Sequence, residues 1–354
     1  MSSPTTYTLE DMRAGAEVAV NICMAVQPEE RVLILGDEGS ALISQALADA
    51  AGAVASEVET RTLEQLGIRP ITSMPDELQC LLEQFLPHVS FYTASSRPGE
   101  LRFRMAYMPA VLRANPDGAR HGHMINITPP LMMQGMRVDY QQIYDVTMRV
   151  HDIVRPAASI RVTNPKGTDF SATFNPEFNW IPCHGLYHEP GIWGNLPEGE
   201  TFTSPRDAYG VLVVDELGDY FSERYGILAS PVTFEVEEGR VREVRCDDSS
   251  LQEDVRSYIY GAQNADRVGE FAIGTNIALK GLVGNLLQDE KFPGAHVAFG
   301  DPYGNQTGAD WKSEHHVDVI PTQCTIEVDG QRIMTDGVFS ADILQNVPCS
   351  SGGG

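Results

Sequence analysis

The rhythm of apolar and polar positions changes near the middle of the chain. In the first part, short continuous apolar runs alternate with longer stretches of helical composition. RVLILGDEG, Arg31 to Gly39, is a run of strand type that closes in a polar turn, and SALISQALADAA, Ser40 to Ala51, follows as a helix, so that the two make a βα unit. Leu9 to Ala25 reads as a helix before it. SEVETRTLEQ and VSFYTASS predict further strands with a helix around Pro75 to Phe85 between them. After a helical stretch from Met105 to Ala114, HGHMINIT predicts another buried strand. Strands alternating with helices predict an N-terminal α/β domain on a parallel sheet over residues 1–154.

From about residue 157 the pattern becomes a strict alternation interrupted by turn residues. ASIRVTNPKGTDFSATF turns at Asn164-Pro165-Lys166-Gly167, VTFEVEEGRVREVRC at Glu238-Gly239, and TIEVDGQRIMTDGVF at Asp329-Gly330. Glycine supplies the positive φ that such turns need, so each stretch predicts a β-hairpin. With one helix around Ser249 to Ala262, residues 155–345 are expected to form an antiparallel, β-rich metal-binding catalytic domain, followed by a disordered tail at 346–354.

Composition narrows the function classes. The chain is 42% hydrophobic and 21% charged, an ordinary globular balance, and no apolar stretch approaches the roughly 20 residues of a membrane span. No basic segment followed by an apolar one opens the sequence, so the expected location is the cytoplasm. The six cysteines stand without CxxC spacing, as reduced thiols, and are expected to be buried or inert. Forty-nine acidic against 25 basic residues give a net charge of −24, which argues against nucleic-acid and membrane partners and would raise cation concentration near a metal site. Neither GxxxxGK[ST] nor GxGxxG occurs, and GxSxG and HExxH are also missing.

The densest cluster of chemistry is HHVDVI, in which His316 and Asp318 sit two apart on a predicted strand and so point to one face. Alone, HxD reads more readily as a solvated edge strand carrying polar side chains outward. Upstream, Glu270 opens an apolar run and His296 lies inside another, AHVAFG, where its ring nitrogens need partners. Glu200, in NLPEGETFTSP beside Glu198, reads by itself as part of a solvated loop. Glu, His and Asp together suit a borderline divalent ion such as zinc, manganese or cobalt. His121 and His123 are assigned to structure, His184 and His188 to a Tyr-containing loop, and His88 and His151 have no evident partner. Asp289-Glu290-Lys291 reads as a surface triplet.

NLPEGETFTSP, GEFAIGTN, DEKFPGAHVAFGDPYG and HHVD occur in that order, and over residues 155–335 the chain thereby resembles the aminopeptidase T family of co-catalytic metallopeptidases. The resemblance implies that Glu200, Glu270, His296, His316 and Asp318 are metal ligands, with Tyr303 as a further site residue. It implies two divalent ions (zinc, cobalt or manganese) bridged by carboxylate and water, a homodimer, and hydrolysis of an amide bond in a short peptide or other small molecule. Glu198 or Glu200 would then act as base, and Tyr303 would stabilise the oxyanion. HEPGIWGNLPEGETFTSP with HxD also resembles the 2,5-dihydroxypyridine 5,6-dioxygenases, which implies the alternative of a single Fe(II) held by two histidines and an aspartate. Their first histidine aligns with Ala272 here, whereas the hydrolase set is intact. A metal-stabilised binding protein without turnover is the third reading.

Overall fold

Residues Val32 to Leu35 are fully buried, as expected of a strand covered on both faces. In the computed structural model, which describes residues 6–218 and 220–345, this strand, Arg31–Gly36, lies inside a five-stranded parallel sheet. Glu57–Thr62 pairs on one side and Val89–Tyr92 on the other, followed by Arg120–His123 and Trp193–Asn195. The expected α/β architecture is therefore present. Several elements are shorter than their sequence patterns. SEVETRTLEQ is strand only to Thr62 before a helical turn at Leu63–Leu66, and HGHMINIT is strand only to His123. The first helix, Leu9–Val18, starts at a capping box between Thr8 and Asp11 and runs on as a π-helical turn over Ala19–Cys23.

The chain forms two compact units. One runs to Gln141 and takes in Gly185–Glu198; the other comprises Gln142–His184 and the chain from Gly199 on. The first is held internally by a buried ion network: Arg69 donates to Glu100 at 2.6 and 2.9 Å and to Asp37 at 2.7 Å. Among the described residues no helix is long and apolar enough to cross a membrane. The 346–354 tail lies outside the described residues.

The second unit is antiparallel and β-rich, as expected. The three predicted hairpins are Ser159–Thr163 with Asp169–Thr173, Val232–Glu237 with Arg240–Arg245, and Thr325–Val328 with Gln331–Thr335, all within one eight-stranded sheet. A six-stranded sheet runs in the order Glu216–Leu217, His316–Ile320, Gly294–Gly300, Val268–Gly274, Glu200–Thr203, Ile181–Cys183. Phe234 of the larger sheet and Phe299 of the smaller meet with ring centroids 5.0 Å apart, inside one apolar core.

Strand periodicity sorts the six-stranded sheet into two faces. Phe271, Ile273, Val297, Phe299, Val317 and Val319 all enter the core. The residues between them face the other way. Glu270 pairs with Ala298 and Ala298 with Asp318, Ala272 pairs with His296, and Gly300 pairs with His316. A β-bulge between Val268 and Glu270 inserts Gly269, where a Cβ would come within 2.6 Å of the Gly300 carbonyl oxygen.

Candidate metal centre

The non-core face brings the five proposed ligands together from four neighbouring strands. His296 Nε2 stands 3.3 Å from Glu200 Oε2 and 3.5 Å from Glu270 Oε1. His316 Nε2 stands 3.7 Å from Glu270 Oε2 and 3.7 Å from Asp318 Oδ1. The His316 Nδ1–H donates to the Asp301 carbonyl at 2.9 Å, which fixes the tautomer and turns Nε2 toward the carboxylates. Glu200 is not in a solvated loop: it opens a buried strand. Tyr303 sits at the rim, 42% exposed, with its ring 4.5 Å from that of His316.

Two atoms of the donor set have the chemistry to fit a cation. Glu200 Oε2 and His296 Nε2 are buried, face one another, and have no hydrogen-bond partner. Donors left in that state suit an ion that both address. These buried His and Glu groups could hold a metal ion.

The electrostatics point the same way. Burial would lower both imidazole pKa values, but the carboxylates outweigh it: His296 is held well above the usual range by Glu200 and Glu270, and His316 is pushed up to about 10, mainly by Asp318. Burial raises Glu200 and Asp318, yet Lys291 and His296 bring the first below its ordinary value and His316 the second. Glu270 stays raised, because burial wins there. Although Tyr303 is partly exposed as a residue, the crowding around its hydroxyl, and then the charges of Glu270 and Asp318, keep that hydroxyl protonated.

The structure corrects the reading of Asp289-Glu290-Lys291 as a surface triplet. Asp289 and Lys291 are fully buried. Lys291 Nζ donates to Glu200 Oε1 and to Glu290 Oε1, both at 2.6 Å. Glu290 is a donor that the sequence pattern did not reveal, since its oxygen lies within 4.8 Å of donor atoms of His296 and Asp318. Its sequence signal is its place in DEKFPGAHVAFGDPYG, four residues ahead of the buried strand that carries His296. Asp289 accepts backbone N–H groups from Val283, Gly284 and Asn285. Glu216 is pushed up to about 10 by burial and by Asp289, so it stays protonated and donates to that carboxylate.

The remaining histidines have partners elsewhere. His121 bonds Ser90 at 2.6 Å and His123 at 3.3 Å, and burial pushes it down to about 3, so it is neutral. His88 accepts from the Arg31 N–H, His151 meets Thr201, His188 meets the Ile22 carbonyl, and His184 packs on Tyr144. The described cysteines are all free, and Cys80 is exposed rather than buried.

A five-stranded α/β unit together with a β-rich unit that gathers glutamates, histidines and an aspartate on one sheet face defines a two-unit fold with a candidate metal centre. Comparison with known proteins places it more narrowly. The model of the 2,5-dihydroxypyridine 5,6-dioxygenase family, NicX, matches residues 104–270. The chain is similar in structure to 2,5-dihydroxypyridine dioxygenase from Pseudomonas putida KT2440, with a TM-score of 0.70 and 17% identity over 95% of this chain and 99% of that one. It is also similar to wild-type AmpT from Thermus thermophilus, with a TM-score of 0.65 and 17% identity over 93% and 99%. Among curated proteins none matches the sequence. The chain thus shares the fold common to NicX and AmpT, and the family match favours the dioxygenase alternative over the aminopeptidase reading. That match ends at Glu270, before His296, His316 and Asp318.

Proposed function

We propose that this chain is a metal-dependent hydrolase of aminopeptidase type that uses water to cleave an amide bond in a short peptide or similar small molecule. The observation that carries the reading is Glu270, whose two oxygens address different imidazoles, His296 at 3.5 Å and His316 at 3.7 Å. One carboxylate between two histidines is the arrangement expected of a ligand shared by two cations. Glu200, Glu270 and His296 would hold one ion, and Glu270, His316 and Asp318 the other. Such ions supply a water acidified toward neutrality and a polarised carbonyl. Tyr303, protonated at the rim, offers a hydrogen bond to oxygen charge developing on the substrate. With Oε1 engaged by Lys291, Glu200 fits a ligand role better than that of general base. A homodimer in the cytoplasm completes the proposal, and light scattering tests the dimer.

The family match supports a second reading, a ring-cleaving dioxygenase that uses Fe(II) on a dihydroxypyridine-like aromatic. Ala272 stands where that resemblance expects a histidine, but His296 lies directly across the ladder from it, on the same face. His296, His316 and Asp318 would then form a two-histidine, one-carboxylate set. Elemental mass spectrometry of the purified protein separates the readings. About two zinc, manganese or cobalt ions per chain, with turnover of aminoacyl amides, support the hydrolase. A single iron, with oxygen consumed on a dihydroxypyridine, overturns it in favour of the dioxygenase.

A further inference from the structure

Lys291 is a cation at the centre that neither reading uses. It is fully buried, and its Nζ donates at 2.6 Å to each of Glu200 Oε1 and Glu290 Oε1. A buried ammonium is tolerated only where carboxylates compensate it, and here two do. That compensation acts in both directions. Glu200 already shares its charge with a cation and has only Oε2 left to offer, on the side facing His296. Asp318, among the described ion pairs, meets only His316. The two halves of the donor set therefore differ: one has an ammonium bonded to its outer carboxylate and the other does not.

We infer that Lys291 makes the two cation positions unequal, weakening the ion held by Glu200, Glu270 and His296 relative to the ion held by Glu270, His316 and Asp318. This rests on the two-ion reading above. Like charges repel strongly where no water screens them, and the ammonium is held by two carboxylates and cannot swing away. The centre loads in sequence: the His316–Asp318 side fills first, and the Glu200 side fills last and empties first. Metal supply would then set how much of the protein carries both ions.

The test is a zinc titration of the metal-stripped, full-length protein by calorimetry, with zinc per chain counted by elemental mass spectrometry at each stage. The wild type is expected to load in two steps separated by at least about tenfold in Kd. Lys291→Gln should tighten the weaker step by at least about tenfold and close the gap. Lys291→Met, which keeps the length of the stem without the ammonium, should do the same. Equal affinities in the wild type, or an unchanged gap in Lys291→Gln and Lys291→Met, would each overturn the inference. One ion per chain in both the wild type and Lys291→Gln, even in excess zinc, would instead sink the two-ion reading on which it rests.

Discussion

Filling the centre with zinc should release protons, and the number follows from the surroundings of the two imidazoles. His316, pushed up to about 10, and His296, held well above the ordinary value, both carry a second ring proton at neutral pH. A ligating imidazole must give that proton up. Two displaced protons make the overall zinc-binding constant rise about a hundredfold between about pH 6.5 and 7.5. The sign follows from the raised values: proton competition is strongest at low pH and fades only as pH climbs toward the folded-state pKa. Two imidazoles with the ordinary pKa of about 6.5 would give only about threefold over the same interval. Glu290, pushed up to about 8 chiefly by burial, adds part of a third proton if it joins the ligands. Calorimetric titration at pH 7 in two buffers of different ionisation enthalpy counts the protons directly. Release of less than one proton per filled centre would show that the carboxylates do not hold the imidazoles charged, and the electrostatic account would fail.

Four further outcomes are expected. Glu270→Gln should lower bound metal by at least one ion per chain, since the shared carboxylate serves both positions; full metal content by elemental analysis would remove Glu270 from the site. Asp289→Asn should cost about 2–3 kcal/mol of stability in urea denaturation, because a buried acceptor of charge-assisted backbone hydrogen bonds is lost. Glu216→Gln should cost less than about 1 kcal/mol, because the amide keeps a donor toward Asp289. As Glu216 is raised, its stabilisation is present at low pH and lost as pH rises toward about 10, so the glutamine variant should lack that part of the alkaline decline, and identical pH profiles would refute the protonated state. Arg69→Met should destabilise by about 3–5 kcal/mol, because Asp37 and Glu100 lose their shared partner in a buried setting; a loss under about 1 kcal/mol in guanidinium would show that water replaces it.

What was legible in the sequence had local causes. The hairpins at Glu238-Gly239 and Asp329-Gly330 place both turn residues at positive φ, 51° and 66° in one and 47° and 82° in the other, a requirement written into the residue types themselves. The placement of His316 and Asp318 on one face was legible because strand side chains repeat with a period of two. The rest depended on partners far along the chain. Trp193–Asn195 is a three-residue strand with no alternation to betray it, and it exists because Arg120–His123 offers an edge. Glu200 resembles a loop residue until Gly274 pairs with it. Asp289, Glu290 and Lys291 look solvated because charge usually is, and their burial is possible only through Glu216, Glu200 and the Val283–Asn285 backbone.

The interleaving of core and donor residues along the same strands makes the candidate site and the fold share their parts. Phe271 separates Glu270 from Ala272, Val297 follows His296, and Val317 lies between His316 and Asp318, so these four candidate ligands are anchored through their immediate neighbours to the apolar interior. A change of shape on the core side is transmitted to the donor side through one peptide link. Precision at the metal is thereby inherited from the packing of the sheets, and substitutions at Phe271, Val297 or Val317 would act as remote adjustments of ligand spacing. A lineage of such proteins can retune its chemistry from the interior, without touching a single donor.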